Sequence, residues 1–140
     1  MSQTQPKLPG LIHVIDDDVS IQASLTALLE AAGHQVVIYG TPAIVPTPIP
    51  HTTPSCILLD IEMPGGNGIE LHRHLATQSN LPPVIYLTAH GDVPTSVASI
   101  KLGAVDFLQK PANPKQLLQV IALALDQDQQ RLADLAAEDS

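Results

Sequence analysis

Chemically active side chains follow four strand candidates of this 140-residue chain, at the point where each candidate ends. They are Asp16, Asp17 and Asp18 after residues 11–15, Asp60 after 56–59, Thr88 after 83–87 and Lys110 after 105–109. A carboxylate nucleophile, carboxylates that can hold a divalent cation, a hydroxyl and an ammonium are together the groups needed to receive a phosphoryl group. The sequence therefore predicts phosphoryl chemistry if the fold brings these four positions together.

The elements that must position these side chains alternate between strand and helix patterns. The run 56–59 has no polar alternation, which is typical of a strand buried on both faces of a parallel sheet. Residues 63–68 then contain one Pro and three Gly, as a turn does. We predict an α/β fold with a doubly wound five-stranded parallel sheet, right-handed crossovers and the flavodoxin-like strand order 2-1-3-4-5.

This strand order makes the first and third strands neighbours. Asp16, Asp17 and Asp60 are then expected in one crevice at the carboxyl edge, the edge formed by the carboxyl ends of the parallel strands. Unpaired carboxylates would repel one another there, and some of their pKa values would rise. A divalent cation removes this repulsion, and hard oxygen ligands with open water positions suit Mg2+ together with a phosphate.

Helix signals separate the predicted strands. Helices are expected from Asp18 to Gly33, from Gly68 to before Asn80, from Asp92 to about Leu102, and from Asn113 and Pro114 onward. The segment 41–54 is the exception, because it contains five prolines and an α-helix interior does not tolerate that density. We predict that the second helix is lost there to an extended, partly polyproline-like connection, with Ile44, Val45 and Ile49 able to cover part of one sheet face.

The chain length indicates one domain without internal repeats. Residues 1–10 are polar with two prolines and are predicted to be a disordered leader. Residues 11–125 contain all the strand and helix patterns of the domain. Residues 126–140 are predicted to be a helical extension or a linker cut short, and the second possibility would make the chain part of a longer protein.

Composition argues against several functional classes. The net charge is −8 with only six Lys and Arg, and one Phe and two Tyr are the only aromatic residues, so direct nucleic-acid binding by this chain is not expected. Cys56 is the only cysteine, which excludes an internal disulfide and favours a buried thiol in the cytoplasm. No stretch has the length of a membrane span or the pattern of a signal peptide.

Four motifs in this order resemble the receiver domain of two-component response regulators over about residues 11–125. They are Ile15-Asp16-Asp17-Asp18, Leu59-Asp60-Ile61-Glu62-Met63-Pro64 with Gly68, Leu87-Thr88-Ala89, and Asp106-Phe107-Leu108-Gln109-Lys110-Pro111. The chain looks most like receivers that precede LuxR-type DNA-binding domains, since residues 90–94 and 103–104 resemble that subgroup.

The resemblance implies a role for each site residue. Asp60 would accept phosphate from the phosphohistidine of a sensor histidine kinase. Asp16, Asp17, Asp60 and the backbone carbonyl of Glu62 would form the Mg2+ site, with Asp16 acting mostly through water. Thr88 and Lys110 would contact the phosphoryl group, Phe107 would be the switch aromatic, and small Ala89 would leave access to the site. The Glu62 side chain would influence the lifetime of the phosphate, and the Lys110–Pro111 peptide would be cis.

The resemblance also implies how the signal leaves the domain. Phosphorylation would alter a surface from Asp92 to Leu125 that binds a partner or a second copy of the chain. An output domain outside this chain would then control transcription. The chain itself would be a phosphoacceptor rather than an enzyme.

Simpler interpretations and other functions stay open at this stage. The acidic run can be a helix cap, and Lys110 can be an ordinary surface lysine. A phosphohydrolase of the haloacid dehalogenase type uses the same groups, but its nucleophile precedes its metal-binding acids, whereas here the acid pair comes first. A flavodoxin-like cofactor carrier would need a phosphate loop and aromatic residues that this sequence lacks. A receiver-like adaptor that is never phosphorylated is the remaining alternative.

Overall fold

The computed structural model describes residues 9–63, 66–89 and 103–139. The strands are β1 Leu11–Ile15, β2 Gln35–Tyr39, β3 Ser55–Asp60, β4 Glu62–Met63, β5 Gly66–Asn67, β6 Val84–Thr88 and β7 Asp106–Gln109. The α-helices are α1 Val19–Ala31, α2 Gly68–Leu75 and α3 Pro114–Asp139, and a 3-10 turn spans Pro42–Ile44. The helix predicted from Asp92 to Leu102 and residues 1–8 lie outside the described residues.

Five strands form one parallel sheet in the order β2-β1-β3-β6-β7. Numbered as the five predicted strands, this is the order 2-1-3-4-5, so the predicted topology is confirmed. The remaining two strands, β4 and β5, form a small antiparallel hairpin directly after β3. The sheet places the carboxyl ends of β1, β3, β6 and β7 side by side at one edge.

The core lies on both faces of the sheet, because successive strand residues point to opposite sides. Along β3, Leu58 packs with α1 and α3, whereas Ile57 and Leu59 pack on the other face with α2 and the Pro-rich segment. All six residues of β3 are buried, and Cys56 is a buried free thiol. The unbroken apolar run is therefore explained by burial on both faces.

The Pro-rich segment 41–54 contains no α-helix, as its proline content predicts. Val45 and Ile49 are buried on the sheet face that a helix would cover, which confirms two of the three predicted contacts. The prediction for Ile44 is wrong, because its side chain is 59% exposed. Ile44 is the last residue of the tight 3-10 turn. Its side chain therefore points to solvent, whereas the side chain of the next residue, Val45, points to the sheet.

Local capping agrees with the sequence. The Asp18 carboxylate accepts hydrogen bonds from the backbone amides of Ser20 and Ile21 and so caps α1. Gly33 follows the helix with a φ of 95°, a conformation that favours glycine. At the other end of the chain, α3 continues without a break through residue 125, where the domain boundary is predicted.

The start of the ordered domain lies slightly earlier than predicted. Gly10, assigned above to the disordered leader, is buried, and its amide donates a hydrogen bond to His34 Nδ1. Its carbonyl accepts a hydrogen bond from Gln35 at the start of β2. Gly10 thus belongs to the fold because it pairs with the turn before β2. Within the described residues, no helix has both the length and the apolar character that a membrane crossing needs.

Candidate phosphoacceptor site

Asp60 is the last residue of β3 and lies at the carboxyl edge of the sheet. The neighbouring strand β1 ends in register with it, since Ile15 pairs with Leu59 and Asp16 follows Ile15. Oxygen atoms of Asp16, Asp17 and Asp60 all lie within 4.8 Å of one another. Asp16 and Asp60 are buried, whereas Asp17 is exposed, so this acidic cluster has a solvent-facing side. The structure thereby brings together two carboxylates that follow β1 and one at the end of β3, as the sequence predicts.

Lys110 reaches the same cluster from the end of β7. Its Nζ lies 2.7 Å from Asp16 Oδ2 and 3.2 Å from Asp60 Oδ2. Its backbone amide donates to the carbonyl of Thr88, which fixes the chain where it leaves the sheet. The Lys110–Pro111 peptide is cis, as the resemblance predicts. Lys110 is therefore held inside the site and is not an ordinary surface lysine.

Burial and the hydrogen bonds and charges of this cluster shift the pKa values of Asp16 and Lys110. Burial raises the pKa of Asp16, and the hydrogen bonds from Lys110 and from the Asp18 amide only partly oppose this effect. Burial would lower the pKa of Lys110, but its hydrogen bond and ion pair with Asp16 outweigh burial, and the pKa is raised. The ammonium thus stays charged while it contacts two carboxylates.

The backbone after β3 is shaped by a close approach at Gly68, the first residue of α2. A Cβ atom at this position would lie 2.5 Å from Ile61 Cα and 2.6 Å from the carbonyl oxygen of Asp60. Only a glycine fits against this backbone without displacement. Within the same turn, the amide of Glu62 donates a 2.9 Å hydrogen bond to Asp60 Oδ1. The orientation of the Asp60 carboxylate is thereby fixed by its own turn.

Thr88 and Ala89 complete the carboxyl edge at the end of β6. Thr88 is buried and pairs in register with Gln109, one residue before Lys110. Ala89 is exposed, and its amide donates a 2.6 Å hydrogen bond to Glu62 Oε1. The sequence places Glu62 near Asp60, but nothing in the sequence predicts that its side chain reaches the end of the next strand.

Phe107 lies apart from the edge, two residues before Gln109 in β7. It is half-buried, pairs in register with Tyr86 and packs against the core on the α2 side of the sheet. This position is compatible with an ordinary core residue and with the predicted switch aromatic, which stays a prediction.

The donor set of the cluster fits a hard divalent cation. Three carboxylates face one ammonium, and the exposed Asp17 leaves room for water on the solvent side. Mg2+ is commonly held by a few carboxylates and several waters in this way. The described histidines do not form a metal cluster, and His72 and His74 point apart, one buried and one exposed.

Sequence reasoning missed a second polar cluster at the opposite, amino end of the sheet. His51 from the Pro-rich segment contacts Asp128 of α3 there, 77 residues away in the chain. No spacing rule links two residues at such a separation, and only the tertiary structure reveals the pair.

Comparisons with known proteins agree with this geometry. The family profile described as "Response regulator receiver domain" matches residues 12–122. Nodulation protein W of Bradyrhizobium diazoefficiens is 36% identical over 129 residues, which are 91% of this chain and 56% of that protein. Transcriptional regulatory protein FixJ of the same species is 40% identical over 118 residues, 84% of this chain and 58% of that protein.

A solved structure of the response regulator StyR is similar with a TM-score of 0.85 at 34% identity, over 94% of this chain and 66% of that chain. The chain spans little more than half the length of the two curated relatives, Nodulation protein W and FixJ. The profile covers most of the chain and contains every residue of the site described above. The chain belongs to the response regulator receiver domain family of two-component systems.

Proposed function

We propose that this chain is a phosphoacceptor switch, in which Asp60 receives a phosphoryl group from the phosphohistidine of a sensor histidine kinase. The observation that carries the proposal is the position of Asp60 Oδ2, 3.2 Å from Lys110 Nζ and within the cluster formed with Asp16 and Asp17. A buried carboxylate beside a held ammonium at a sheet edge is suited to bind and receive a negatively charged group.

The chemical step would be a displacement at phosphorus. Asp60 Oδ1 already accepts the Glu62 amide, which leaves Oδ2 beside Lys110 as the attacking oxygen. The O–P bond forms while the N–P bond of the phosphohistidine breaks, and its electron pair leaves with the imidazole. The ammonium of Lys110 offsets charge on the phosphoryl oxygens, and Thr88 would donate its hydroxyl to one of them.

We propose that Asp16, Asp17, Asp60 and the backbone carbonyl of Glu62 hold Mg2+ in this site. When bound, the ion supplies positive charge opposite the phosphoryl oxygens. The donor chemistry of the acidic cluster supports this proposal, because the single ammonium of Lys110 cannot balance the negative charge of three carboxylates.

The family match favours this function over a phosphohydrolase. In a hydrolase of the haloacid dehalogenase type the nucleophile comes before the metal-binding acids, but Asp60 comes after Asp16 and Asp17. We propose that the chain is not an enzyme acting on external substrates and that its phosphate is lost slowly by hydrolysis. An unphosphorylated adaptor is less favoured because the candidate site contains every group that the chemistry needs.

We further propose a role in the control of transcription from the cytoplasm, through an LuxR-type output domain beyond this chain. The support is that FixJ is named a transcriptional regulatory protein and that this chain matches little more than half of it. A partner or homodimer surface within residues 92–125 remains a proposal, since residues 90–102 lie outside the described part of the chain.

The proposal is tested by incubating the protein with acetyl phosphate and Mg2+ and measuring its intact mass. We expect one adduct of about 80 Da that is labile to hydroxylamine, requires Mg2+ and is absent in Asp60→Asn. Asp106→Asn, which alters an exposed strand residue, is the matched control and should still be phosphorylated. Absence of an adduct together with rapid release of phosphate from many esters would instead support a hydrolase.

A further inference from the structure

The amino end of the sheet contains a buried ion pair that the phosphoacceptor site does not use. His51 Nε2 lies 2.7 Å from Asp128 Oδ2, and the two side chains are 1% and 0% exposed. The amide of Ser55, the first residue of β3, donates a 2.9 Å hydrogen bond to the same carboxylate oxygen. The other oxygen, Asp128 Oδ1, is buried and has no hydrogen-bond partner among the described residues. The contacts to Oδ2 therefore carry the whole compensation for burying this carboxylate.

The hydrogen bonds of His51 require an additional proton. Its Nδ1 lies 2.8 Å from the carbonyl oxygen of Asn80, and its Nε2 faces Asp128. A backbone carbonyl can only accept a hydrogen bond, and so can an ionised carboxylate. A neutral imidazole carries one N–H and could satisfy only one of these two acceptors. The geometry therefore requires one proton more than a neutral histidine and an ionised Asp128 hold together.

The other buried histidines among the described residues differ from His51 in this respect. His34 Nδ1 accepts a hydrogen bond from the Gly10 amide, which requires an unprotonated nitrogen. His13 and His72 each place Nδ1 against a tyrosine hydroxyl, Tyr39 and Tyr86 respectively, which can donate or accept. Burial lowers the pKa of all three, to about 4 for His13.

The pKa of His51 shifts in the opposite direction. Burial acts to lower it, but the hydrogen bonds to Asp128 and to the Asn80 carbonyl outweigh burial and raise it. Among the described residues, the charged and titratable groups that act on His51 are Asp128 and Arg131 from α3 and His13 from β1, while Cys56 from β3 lies near Asp128. Arg131 is positive and opposes the charge on His51, whereas burial disfavours protonation of His13. Asp128 is thus the anion that stabilises the proton on His51.

The pair joins parts of the chain that are distant in sequence. His51 lies in the Pro-rich segment 41–54, and Gln78 holds the same segment through hydrogen bonds with both the amide and the carbonyl of Ile49. Arg131, one turn beyond Asp128, donates hydrogen bonds to the carbonyls of Ser79 and Leu81. The Pro-rich segment, the loop before β6 and the middle of α3 therefore meet at His51 and Asp128.

We propose that His51 and Asp128 form a proton-dependent lock that fastens the Pro-rich segment to α3. With the proton bound, both ring nitrogens of His51 donate, and the segment 41–54 is tied to Asp128 and to the loop before β6. When the proton leaves, one of these two hydrogen bonds is lost and a buried acceptor is left unpaired. Release then loosens the segment and α3 together, at the end of the sheet opposite Asp60.

The direction of the pH effect follows from proton linkage. Opening the lock exposes His51, whose pKa returns to about 6.5, while the closed form binds the proton more tightly. The lock contributes its full stability below pH 6.5 and loses it as the pH rises from 6.5 through the raised pKa of the closed form. Within this interval the equilibrium constant for opening increases about tenfold per pH unit, because one proton is released.

The first test is NMR of the imidazole nitrogens in the intact chain. We expect both ring nitrogens of His51 to carry protons near pH 6.5, with a titration midpoint above that value. Asp128→Asn should move this midpoint below 6.5, because burial still lowers the pKa of His51 while the carboxylate that raises it is gone. A His51 that is neutral at pH 6.5, or a midpoint that Asp128→Asn leaves unchanged, would overturn the proposal.

Hydrogen exchange tests whether the proton on His51 stabilises the Pro-rich segment 41–54 and α3. After correction for the intrinsic pH dependence, the hydrogen-bonded amides of Val45 and Ile49 and those of α3 around Asp128 should exchange faster as the pH rises above 6.5 in the wild type. His51→Gln should remove this dependence, whereas His74→Gln, at an exposed position of α2, should retain it. A pH-independent exchange in the wild type, or a dependence that persists in His51→Gln, would contradict the lock. Phosphorylation of Asp60 in His51→Gln is measured in parallel, so that failure of the proposed lock can be told apart from failure of the proposed phosphoacceptor function.

Discussion

Glu62 Oε1 accepts a hydrogen bond of 2.6 Å from the backbone amide of Ala89. The amide of Glu62 itself donates to Asp60 Oδ1, so this residue connects Asp60 to the end of β6. A phosphoryl group on Asp60 would occupy the same edge and would need the hydrogen-bond donors there. We therefore expect the Glu62 carboxylate to compete with a phosphoryl group for the amide of Ala89, both as an acceptor and as a negative charge.

Replacing Glu62 should make phosphorylation faster. In Glu62→Ala the competing acceptor is gone. If this stabilises the transition state for phosphoryl transfer by about 1 kcal/mol, the rate increases about fivefold. Glu62→Gln removes the charge but keeps an acceptor oxygen, so a smaller increase is expected. The rate of adduct formation with acetyl phosphate measures both variants. A rate for Glu62→Ala at or below that of the wild type would show that Glu62 does not compete.

Removing the Lys110 ammonium should destabilise the fold and make it sensitive to Mg2+. In Lys110→Met the buried Asp16 and Asp60 lose their shared cation, which should cost about 3 kcal/mol in the free energy of unfolding without metal. Saturating Mg2+ should restore a larger part of the stability in this variant than it adds to the wild type. Urea unfolding with and without Mg2+ measures the effect.

Lys115→Met is the control for this experiment, because Lys115 is exposed in the first turn of α3. Its stability and its response to Mg2+ should equal those of the wild type. Equal responses of Lys110→Met and Lys115→Met to Mg2+ would contradict an effect of Lys110 on the cation site, and no response in either variant would contradict the site itself.

A methyl group at Gly68 should disturb the turn that orients Asp60. Its Cβ would lie 2.5 Å from Ile61 Cα, and a backbone atom cannot move aside as a flexible side chain can. We expect Gly68→Ala to lower the free energy of unfolding by about 2 kcal/mol and to slow phosphorylation of Asp60. Gly40→Ala is the matched control, since its Cβ would only meet the Gln22 side chain at 3.4 Å. Wild-type behaviour of Gly68→Ala in urea unfolding and phosphorylation would refute this role.

Buried His13 should make the fold sensitive to acid. Burial lowers its pKa from 6.5 to about 4, so the unfolded chain binds a proton between these values when the folded chain does not. Stability should therefore fall by about 3 kcal/mol from this residue as the pH drops from 6.5 to 4. In urea unfolding, His13→Gln should make the free energy of unfolding depend less steeply on pH. His74→Gln, at an exposed position, should leave this dependence unchanged. An unchanged slope in His13→Gln would contradict the neutral buried state of this histidine.

The sequence determined those features that depend on local chemistry. Strand patterns followed by polar residues predicted β1, β3, β6 and β7 and located Asp16, Asp60, Thr88 and Lys110 at their ends. Strand and helix alternation with the four motifs was enough to predict the sheet order that the structure shows. Proline density excluded a helix in 41–54, since proline acts on its own backbone and on the preceding turn.

The tertiary structure decided the contacts that close over long separations. The Glu62 side chain reaches Ala89 across 27 residues, and His51 reaches Asp128 across 77. Neither contact follows from a periodicity, because each depends on how two elements that are distant in sequence pack against each other. The outward position of Ile44 has the same origin, since it depends on the exact bend of the segment against the sheet. Sequence thus identified the candidate site residues, while packing decided which side chains contact them and which distant elements meet.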